Sequence, residues 1–416
     1  MLTLYNQFIR LYFIGIRLAS IWNKKAAAWI NGRKSLFEDL EKAIGNEGRI
    51  IWMHCSSAGE FEQGKPLIES LKKEYPAYKI LVSFFSPSGF DTAHNYQDAD
   101  YITYLPLDTQ KNAERFLRTV KPKLVIFVKY EFWYHHLNAT AFLQIPLLLV
   151  SAVFRKEQVF FKSYGSFYRR MLLLFRDIFV QDEVSLLLLR ENGISHATIC
   201  GDTRFDRVTK LSSQFLAIDF IQNFIGDKNV IVAGSTWEGD EILLAAYAKE
   251  NPQLKFIVAP HEMAPSHLSS LKNLFPVHIL YSEYTTDASQ QNAQTLIIDS
   301  IGLLSRLYKY ATLTYVGGGF TKDGIHNILE AAVWGKPVVF GPNYKKYREA
   351  GELIDAAGGF SVSTEEEFKK LADHLLMNED YLQATGNKAQ NYIKKNTGAT
   401  KKILQAIQEK RLLTRL

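Results

Sequence analysis

Residues 313–340 read LTYVGGGFTKDGIHNILEAAVWGKPVVF, and this stretch contains the features from which the fold can be predicted. An aliphatic and β-branched run, Leu313–Val316, leads directly into three glycines, and a second apolar run follows at Pro337–Phe340. Between them lies a segment of helical character that begins near His326. A strand, a helix and a second strand in this order predict one unit of a parallel sheet.

The same alternation of short apolar runs and helix-period segments continues in both directions. Strands are predicted at Ile50–Met53, Ile80–Phe84, Leu124–Val128, Pro146–Val150 and Asp177–Val180, and then at Val230–Ala233, Lys255–Ala259, Leu296–Ile298, Leu313–Val316 and Pro337–Phe340. Helices are predicted at Gly64–Glu74, Lys111–Val120, Val184–Asn192 and Gly239–Tyr247. Five strands on each side of residue 205 predict an α/β protein with two doubly wound, Rossmann-like domains. Ligands of such sheets bind at the carboxyl ends of the strands, so we expect a cleft where the two domains face each other.

These predictions divide the chain into three parts: an N-terminal helix at 1–35, a first domain at 36–208 and a second domain at 209–416. The polar stretch Arg207–Asn229 contains the predicted connection, and the helical segment Glu365–Leu416 is expected to pack back across the first domain.

Composition is typical of a globular protein that functions in a reducing compartment. The chain has 416 residues, of which 47% are hydrophobic and 22% charged, with a net charge of +6. The two cysteines, Cys55 and Cys200, form no paired motif, so no disulfide framework is expected. No small-residue cleavage site follows the first apolar stretch, which argues against a removed signal peptide. We expect neither a nucleic-acid partner nor an obligate protein partner.

The first 35 residues contain six basic residues and no acidic one. Arg10, Arg17 and Lys24 recur every seven residues and so share one side of a helix, while the other faces are apolar and aromatic. Because two arginines interrupt the ~20 apolar residues that a bilayer span needs, an interfacial helix on an anionic membrane surface fits better. The alternatives are an amphipathic helix packed on the protein's own core and a short span with snorkelling arginines.

The first candidate for chemistry is Glu60, in the segment His54–Glu60 that follows the first predicted strand. Ser57 with Glu60 three residues later has the spacing of a helix-starting capping box. The same position at a strand-to-helix turn also suits a general base, because a helix N-terminus favours an ionised carboxylate. The two readings compete for one side chain.

Glu131 and Arg204 are the second and third candidates. Glu131 also follows the end of a predicted strand, and the alternatives for it are a surface acid or an ion pair with Lys129. Arg204 lies near the domain junction, where a fixed cation stabilises a leaving phosphate or a substrate carboxylate. A structural pair with Asp202 or Asp206 is the alternative for Arg204.

The glycine turn that includes Gly318 and Gly319 is the fourth candidate, because backbone N–H groups there can approach a phosphate. Glu330, about one turn into the next helix, is placed to accept hydrogen bonds from ribose hydroxyls. The motif is neither a Walker loop nor GxGxxG, and a plain turn is the alternative. His261-Glu262 does not continue as HExxH, so no metal site is predicted, and no GxSxG nucleophile motif occurs.

Taken together, these clusters resemble the Kdo (3-deoxy-D-manno-octulosonic acid) transferases of lipopolysaccharide synthesis, which have the GT-B glycosyltransferase fold. The resemblance extends from the N-terminal segment to about residue 360. The matching stretches are WMHCSSAGEFEQGKPLI (52–68), YLPLDT (104–109), EFW (131–133), DTRFD (202–206), AGSTWEGDE (233–241), GGGF (317–320) and HNILEAAVWGKPVVFGP (326–342).

The resemblance assigns roles to individual residues. Glu60 ends the family's H-x-x-S-x-G-E motif and would be the general base. Glu131 matches the second acid of the E-x-E-x-W motif and would support the transition state, whereas the first acid of that motif is Lys129 here. Arg204 takes the position of the family's lysine. The contacts to CMP would fall on His261, Glu262, Ile301, Gly302, Leu303, Asn327, Ile328, Leu329 and Glu330, beside Gly318 and Gly319.

The resemblance implies an inverting, metal-independent and cofactor-free transfer of Kdo from CMP-Kdo to the glucosamine of a lipid A precursor (lipid IVA). The expected location is the cytoplasmic face of the inner membrane, and we expect deletion of Met1–Lys34 to leave a soluble enzyme that works poorly on membrane-bound acceptor. Two alternatives remain: another GT-B enzyme that uses UDP-sugars, such as a lipid-disaccharide synthase or an epimerase, and a non-catalytic membrane scaffold.

Overall fold

The computed structural model describes residues 1–129, 131–284 and 292–414. The chain divides into two compact units. The first unit contains residues 1–207 and 397–416, and the second contains residues 208–396. The last helix of the chain therefore belongs to the first unit, where Ala399, Ile403 and Ile407 are buried in its core.

Within the described residues, the first unit is built on a seven-stranded parallel sheet in the order β3-β2-β1-β4-β5-β6-β7. The strands are β1 (Ile50–Cys55), β2 (Lys79–Phe84), β3 (Tyr101–Tyr104), β4 (Pro122–Val128), β5 (Leu147–Ala152), β6 (Asp177–Val180) and β7 (Ala197–Ile199). Its helices are α1 (Leu2–Ala19), α2 (Lys24–Asn31), α3 (Leu36–Ile44), α4 (Ala58–Glu74), α5 (Pro87–Ala93), α6 (Gln110–Val120), α7 (Tyr134–Phe142), α8 (Ser166–Leu172) and α9 (Glu183–Glu191). α10 (Thr203–Ser213) crosses the boundary between the units.

The second unit repeats this plan, with the described strands in the order β10-β11-β9-β8-β12-β13-β14, again all parallel. They are β8 (Val230–Thr236), β9 (Lys255–Pro260), β10 (His278–Leu280), β11 (Thr295–Ile297), β12 (Leu313–Val316), β13 (Val338–Phe340) and β14 (Gly359–Ser361). Its helices are α11 (Asp219–Ile225), α12 (Glu238–Glu250), α13 (Pro265–Leu274), α14 (Leu304–Leu307), α15 (Leu329–Ala332), α16 (Arg348–Asp355), α17 (Glu365–Met377) and α18 (Glu379–Asn396); α19 (Ala399–Glu409) returns to the first unit.

The predicted fold class, two doubly wound α/β sheets, is confirmed. The prediction of five strands per sheet was wrong, because β3, β7, β10 and β14 were missed. The stretch Arg207–Asn229 was also described incompletely, since it contains the end of α10 and the whole of α11.

The N-terminal segment is not the single helix that the sequence predicted. α1 ends at Ala19, and Asn23 then caps α2 by accepting hydrogen bonds from the backbone N–H groups of Lys25 and Ala26. The seven-residue spacing of Arg10, Arg17 and Lys24 is therefore interrupted, because an asparagine side chain that satisfies the first free N–H groups starts a new helix.

α1 has two apolar faces. On the inner face, Tyr5 and Ile9 are buried in the core of the first unit. On the outer face, large apolar side chains repeat with helical spacing and remain more than half exposed: Leu4, Phe8, Leu11, Ile14 and Leu18, followed after the helix by Ile21 and Trp22. Part of α1 thus packs on the protein itself, and a contiguous apolar surface is left over.

Arg33 does not belong to the basic surface that the sequence predicted. Its guanidinium donates to the carbonyl oxygens of Leu105, Trp29 and Phe85 at 2.8, 3.1 and 2.7 Å and lies 3.8 Å above the Trp29 ring. Burial lowers the pKa of Arg33 to about 9. This arginine holds α2 against the sheet and is not directed at an anionic partner.

None of the helices in the described ranges combines the length and the apolar character that a bilayer crossing requires.

Candidate active site

In the first unit, Glu60 and Glu131 follow the carboxyl ends of two neighbouring strands. β1 and β4 pair in parallel, Glu60 lies three residues into the helix that follows β1, and Glu131 lies in the loop after β4. Parallel strands end at one edge of the sheet, which is where ligands of open α/β sheets bind. The strand order therefore brings these two predicted acids to the same edge.

Glu60 forms the capping box that its spacing predicts. Its Oε2 accepts from the backbone N–H of Ser57 at 3.1 Å and also from the Ser57 hydroxyl. Its other oxygen, Oε1, lies 3.7 Å from Lys129 Nζ, and 15% of the side chain is exposed. The two readings of Glu60 are thus compatible, because one carboxylate oxygen caps the helix and the other is directed to the sheet edge.

Lys129 pairs with Glu60 rather than with Glu131, the partner that the sequence suggested. Its backbone has φ +66°, in the left-handed region that costs a non-glycine residue energy, and its N–H donates to Val150 O at 2.8 Å. Strained residues of this kind concentrate at functional sites. Lys129, which stands where the resembling transferases have the first acid of their E-x-E-x-W motif, is therefore held at the candidate site by Glu60 and by Val150.

Glu131 faces a buried histidine, His54, which is not among the site residues predicted from the sequence. His54, the last residue but one of β1, is fully buried, and its Nε2 lies 4.0 Å from Glu131 Oε2. Burial alone would raise the pKa of Glu131, but His54, together with Ser56 and Trp133, outweighs it and lowers the pKa. The sequence did contain a signal, because His54 opens the motif that Glu60 closes.

Aromatic side chains line the region beside Glu131. Trp133 stacks on Phe85 with ring centroids 4.5 Å apart, and Phe85 stacks on Tyr12 of α1 at 6.1 Å. Burial raises the pKa of Tyr12, and the charge of Glu131 adds to this rise. The N-terminal helix therefore borders the candidate site, whereas the sequence predicted for it a membrane contact or, as an alternative, packing on the protein's own core.

Arg204 makes the structural pair that was the alternative to a catalytic role. Its Nη2 and Nε lie 2.7 and 2.9 Å from Asp202 Oδ2, and its backbone N–H donates to Asp202 Oδ1. Thr203 next to it donates to the backbone oxygen of Gln63, one turn after Glu60 on α4, at 2.6 Å. The start of α10 is thus attached to the helix of Glu60, and a catalytic role for Arg204 stays a prediction.

In the second unit, the glycine turn is tightly built. Gly318 has φ +90°, and a Cβ there would lie 2.5 Å from Gly324 O. The Gly318 N–H donates to Asp240 at 2.8 Å, and the Gly317 N–H donates to Gly234 O at 2.9 Å. Two of the N–H groups expected to bind a phosphate are therefore used inside the protein, whereas Gly319 N–H has no partner in the described part of the chain.

Three rings stack beside this turn at the carboxyl edge of the second sheet. His261 follows β9 and stacks on both Trp237 and His326, with ring centroids 4.9 and 4.3 Å away. Trp237 Nε1 donates to His326 Nε2 at 3.2 Å. Burial, reinforced by the nearby His261, lowers the pKa of His326 to about 4, so this ring is neutral at physiological pH. Trp237 and His326 are additions to the residues predicted from the sequence.

The remaining predicted nucleotide contacts lie at the same edge of this sheet. Helix α15 starts at Leu329, after Ile328, and is shorter and later than the helix predicted near His326. Asn327 Nδ2 donates to Glu330 Oε1 at 3.0 Å.

The loop that contains Ile301, Gly302 and Leu303 is also at this edge. It follows β11 and leads into Leu304, whose side chain fills the space where a Cβ on Gly234 of β8 would lie. Glu262 follows His261 and is exposed.

No group of three or more His, Cys, Asp or Glu side chains placed to hold a metal ion is found among the described residues.

Comparison with known proteins finds sequence similarity to one group of sugar transferases. Residues 30–207 match the family model of 3-deoxy-D-manno-octulosonic-acid transferase (kdotransferase). The chain is 29% identical over 349 residues to the 3-deoxy-D-manno-octulosonic acid transferase of Aquifex aeolicus, which covers 81% of this chain and 88% of that protein. The enzyme of the same name from Haemophilus influenzae is 25% identical over 86% of each chain.

Solved structures agree on the fold. UDP-GlcNAc 2-epimerase from Neisseria meningitidis, bound to UDP-GlcNAc, superposes with a TM-score of 0.61 at 17% identity and covers 87% of this chain and all of that one. A glycosyltransferase from Rickettsia africae superposes with a TM-score of 0.55 at 13% identity and covers 87% of this chain and 98% of that one. At these identities the likeness establishes the two-domain GT-B-like architecture alone. In sequence, this chain is similar to the Kdo transferases over most of its length, and residues 30–207 match the model of that family.

Proposed function

We propose that this protein transfers Kdo from CMP-Kdo to the glucosamine of a lipid A precursor, with Glu60 as general base and inversion at the anomeric carbon. The observation that carries the proposal is the position of Glu60 and Glu131 after neighbouring parallel strands, within the segment that matches the family. An acceptor hydroxyl at this edge would lose its proton to Glu60 as it attacks the donor sugar.

The second unit supports the donor half of the proposal. The glycine turn and the ring stack lie at the carboxyl ends of β8, β9 and β12, where a nucleotide binds in an open α/β sheet. Glu330, beside Asn327, offers an acceptor for ribose hydroxyls. Arg204 would assist the departing CMP only if substrate binding draws it from Asp202.

The test is transfer of Kdo from CMP-Kdo generated in situ to a tetraacylated lipid A precursor, with the product identified by its mass. CMP should compete with the donor and UMP should not. An epimerase or a transferase that uses UDP-sugars would give the opposite competition. Binding of CMP without any transfer would support a scaffold instead.

We also propose that the outer face of α1 lies in an anionic membrane surface, at the cytoplasmic side of the inner membrane. Arg10 and Arg17 are exposed beside the apolar outer face. Contiguous exposed apolar surface of this kind is typical of an interaction site, and basic groups next to it suit lipid headgroups. Because Tyr12 also borders the region of Glu131, membrane docking would bring that region to the leaflet that holds the acceptor.

Replacing Arg10 and Arg17 together by glutamine is expected to weaken binding to vesicles that contain anionic phospholipid by about thirty-fold, since each basic residue near such a surface contributes about 1 kcal/mol. Vesicle co-sedimentation measures this. The matched control replaces the exposed Lys401 and Lys402 of α19 by glutamine and should leave binding unchanged. Equal binding of both double variants would contradict the proposed surface.

The structure corrects the expected effect of deleting Met1–Lys34. That deletion removes Tyr5, Ile9 and Trp29, which are buried in the first unit. It would therefore expose core surface instead of leaving an intact soluble enzyme, and charge variants on the outer face are the appropriate test.

A further inference from the structure

We propose that His54 is a positioning residue that holds Glu131 ionised and correctly oriented through an N–H group on Nε2. The role of Glu131 in sugar transfer rests on the proposed function, whereas the geometry of the contact does not. His54 lies on β1 and Glu131 follows β4, so the pairing of these two strands brings the side chains together.

A buried hydrogen-bond chain determines which ring nitrogen carries the proton. Trp52 Nε1 donates to Ser83 Oγ at 2.7 Å, and Ser83 Oγ lies 2.9 Å from His54 Nδ1. All three residues are fully buried. An indole N–H only donates, so the serine oxygen accepts from Trp52 and has its own proton to donate. That hydroxyl lies within hydrogen-bond distance of His54 Nδ1, and when Nδ1 accepts from it the ring proton lies on Nε2.

The Nε2 side of the ring is directed at Glu131. His54 Nε2 and Glu131 Oε2 are 4.0 Å apart, both atoms are buried, and neither has a hydrogen-bond partner among the described residues. Burial lowers the pKa of His54, so the ring approaches the carboxylate as a neutral donor rather than as a cation. Contacts of catalytic groups are often long without substrate and shorten in the complex, and a small side-chain rotation would close this one.

The other groups around Glu131 do not replace this contact. Ser56 and Trp133 also act on the carboxylate, but Trp133 Nε1 has no hydrogen-bond partner within the described part of the chain either. Tyr12 approaches from α1, and its pKa, raised first by burial, leaves it a neutral phenol. The nearby Lys129 is paired with Glu60, and the charge of His136 acts on His54, whose pKa it lowers further after burial. His54 is thus the principal group that opposes the effect of burial on the pKa of Glu131.

Replacing His54 by leucine is expected to lower kcat about ten-fold or more with little change in KM, and to move the acid limb of the kcat–pH profile to higher pH. The direction follows because burial alone raises the pKa of a carboxyl group. His54→Gln places an amide N–H close to the position of Nε2 and should restore most of the activity and the wild-type acid limb. Ser83→Ala removes the hydroxyl that fixes the tautomer of His54, so kcat should fall by an amount between those of His54→Gln and His54→Leu. His94→Leu, at an exposed histidine after α5, is the matched control and should behave as wild type.

The result that overturns the proposal is a folded His54→Leu protein, with a melting temperature near wild type, whose acid limb is unmoved. An activity of His54→Gln as low as that of His54→Leu would overturn it as well. If the wild type itself transfers no Kdo, the proposed function fails, and the inference is then decided by ¹⁵N NMR of the histidine rings. A proton on Nε2 of His54, assigned by its loss in His54→Gln, supports the proposal, and a proton on Nδ1 overturns it.

Discussion

Replacing Glu60 by glutamine is expected to reduce kcat for Kdo transfer by about 10²–10⁴-fold, the usual contribution of a general base. Glutamine retains an oxygen that can accept from the Ser57 N–H, and the capping box accepts either residue at this position. The helix should therefore start as before, with a melting temperature near wild type and CMP binding unchanged. Initial rates with saturating donor and calorimetric titration of CMP measure the two effects separately.

Two further variants distinguish catalysis from helix capping at this position. Glu62→Gln changes a glutamate on the same helix that is 45% exposed and pairs with Lys65, so its rate should stay near wild type. Ser57→Ala removes the hydroxyl of the cap and should cost about 1 kcal/mol of stability without abolishing turnover. A Glu60→Gln protein that turns over like wild type would refute the assignment of the base and leave Glu60 as a cap alone.

The second large effect, a loss of stability, is expected on replacing Asp108, which attaches α1 to the rest of the first unit. Its carboxylate accepts from Tyr5 Oη at 2.5 Å, from His136 Nδ1 at 2.6 Å, and from the backbone N–H groups of His135 and His136. Asp108, His136 and Tyr5 are all buried. Removing one member of a buried charged network leaves its partners unsatisfied, so Asp108→Ala should lower the free energy of unfolding of the first unit by about 3–5 kcal/mol.

The pH dependence of this effect has a defined sign. Burial alone would raise the pKa of Asp108, but the hydrogen bonds from His136, Tyr5 and the His135 N–H outweigh it and lower the pKa. The stabilisation by Asp108 is therefore fully present above the unfolded-state value of about 3.9 and is lost as pH falls through the lower folded-state value. The difference in the free energy of unfolding between the wild type and Asp108→Ala should consequently become smaller below about pH 4.

Differential scanning calorimetry tests this, because only the transition of the first unit should move. Asp91→Asn, at an exposed aspartate on α5, is the control and should leave both transitions in place. If Asp108→Ala melts like wild type at pH 7, the Tyr5–Asp108 contact does not hold α1, and the N-terminal helix would be a detachable membrane segment after all.

Ten of the strands could be predicted from the sequence because each is a mostly apolar run, as strands buried on both faces require. The four that were missed are β3, β7, β10 and β14, and each lies at an edge of its sheet. They contain only three or four residues, and a strand with a neighbour on one side alone needs a shorter apolar run. Tyr101–Tyr104 and His278–Leu280 therefore lack the pattern on which the predictions depended.

The sequence by itself determined the two doubly wound sheets and the placement of Glu60 and Glu131 after strand ends, because strand runs and capping residues are local patterns. Only the tertiary structure decided which partners these side chains meet. Lys129 pairs with Glu60, and His54 faces Glu131. Tyr5 bonds Asp108 across 103 positions of the chain. Most of these contacts depend on which strands and helices lie side by side, and the order of strands in a sheet arises from packing of the whole chain, not from any local run of residues.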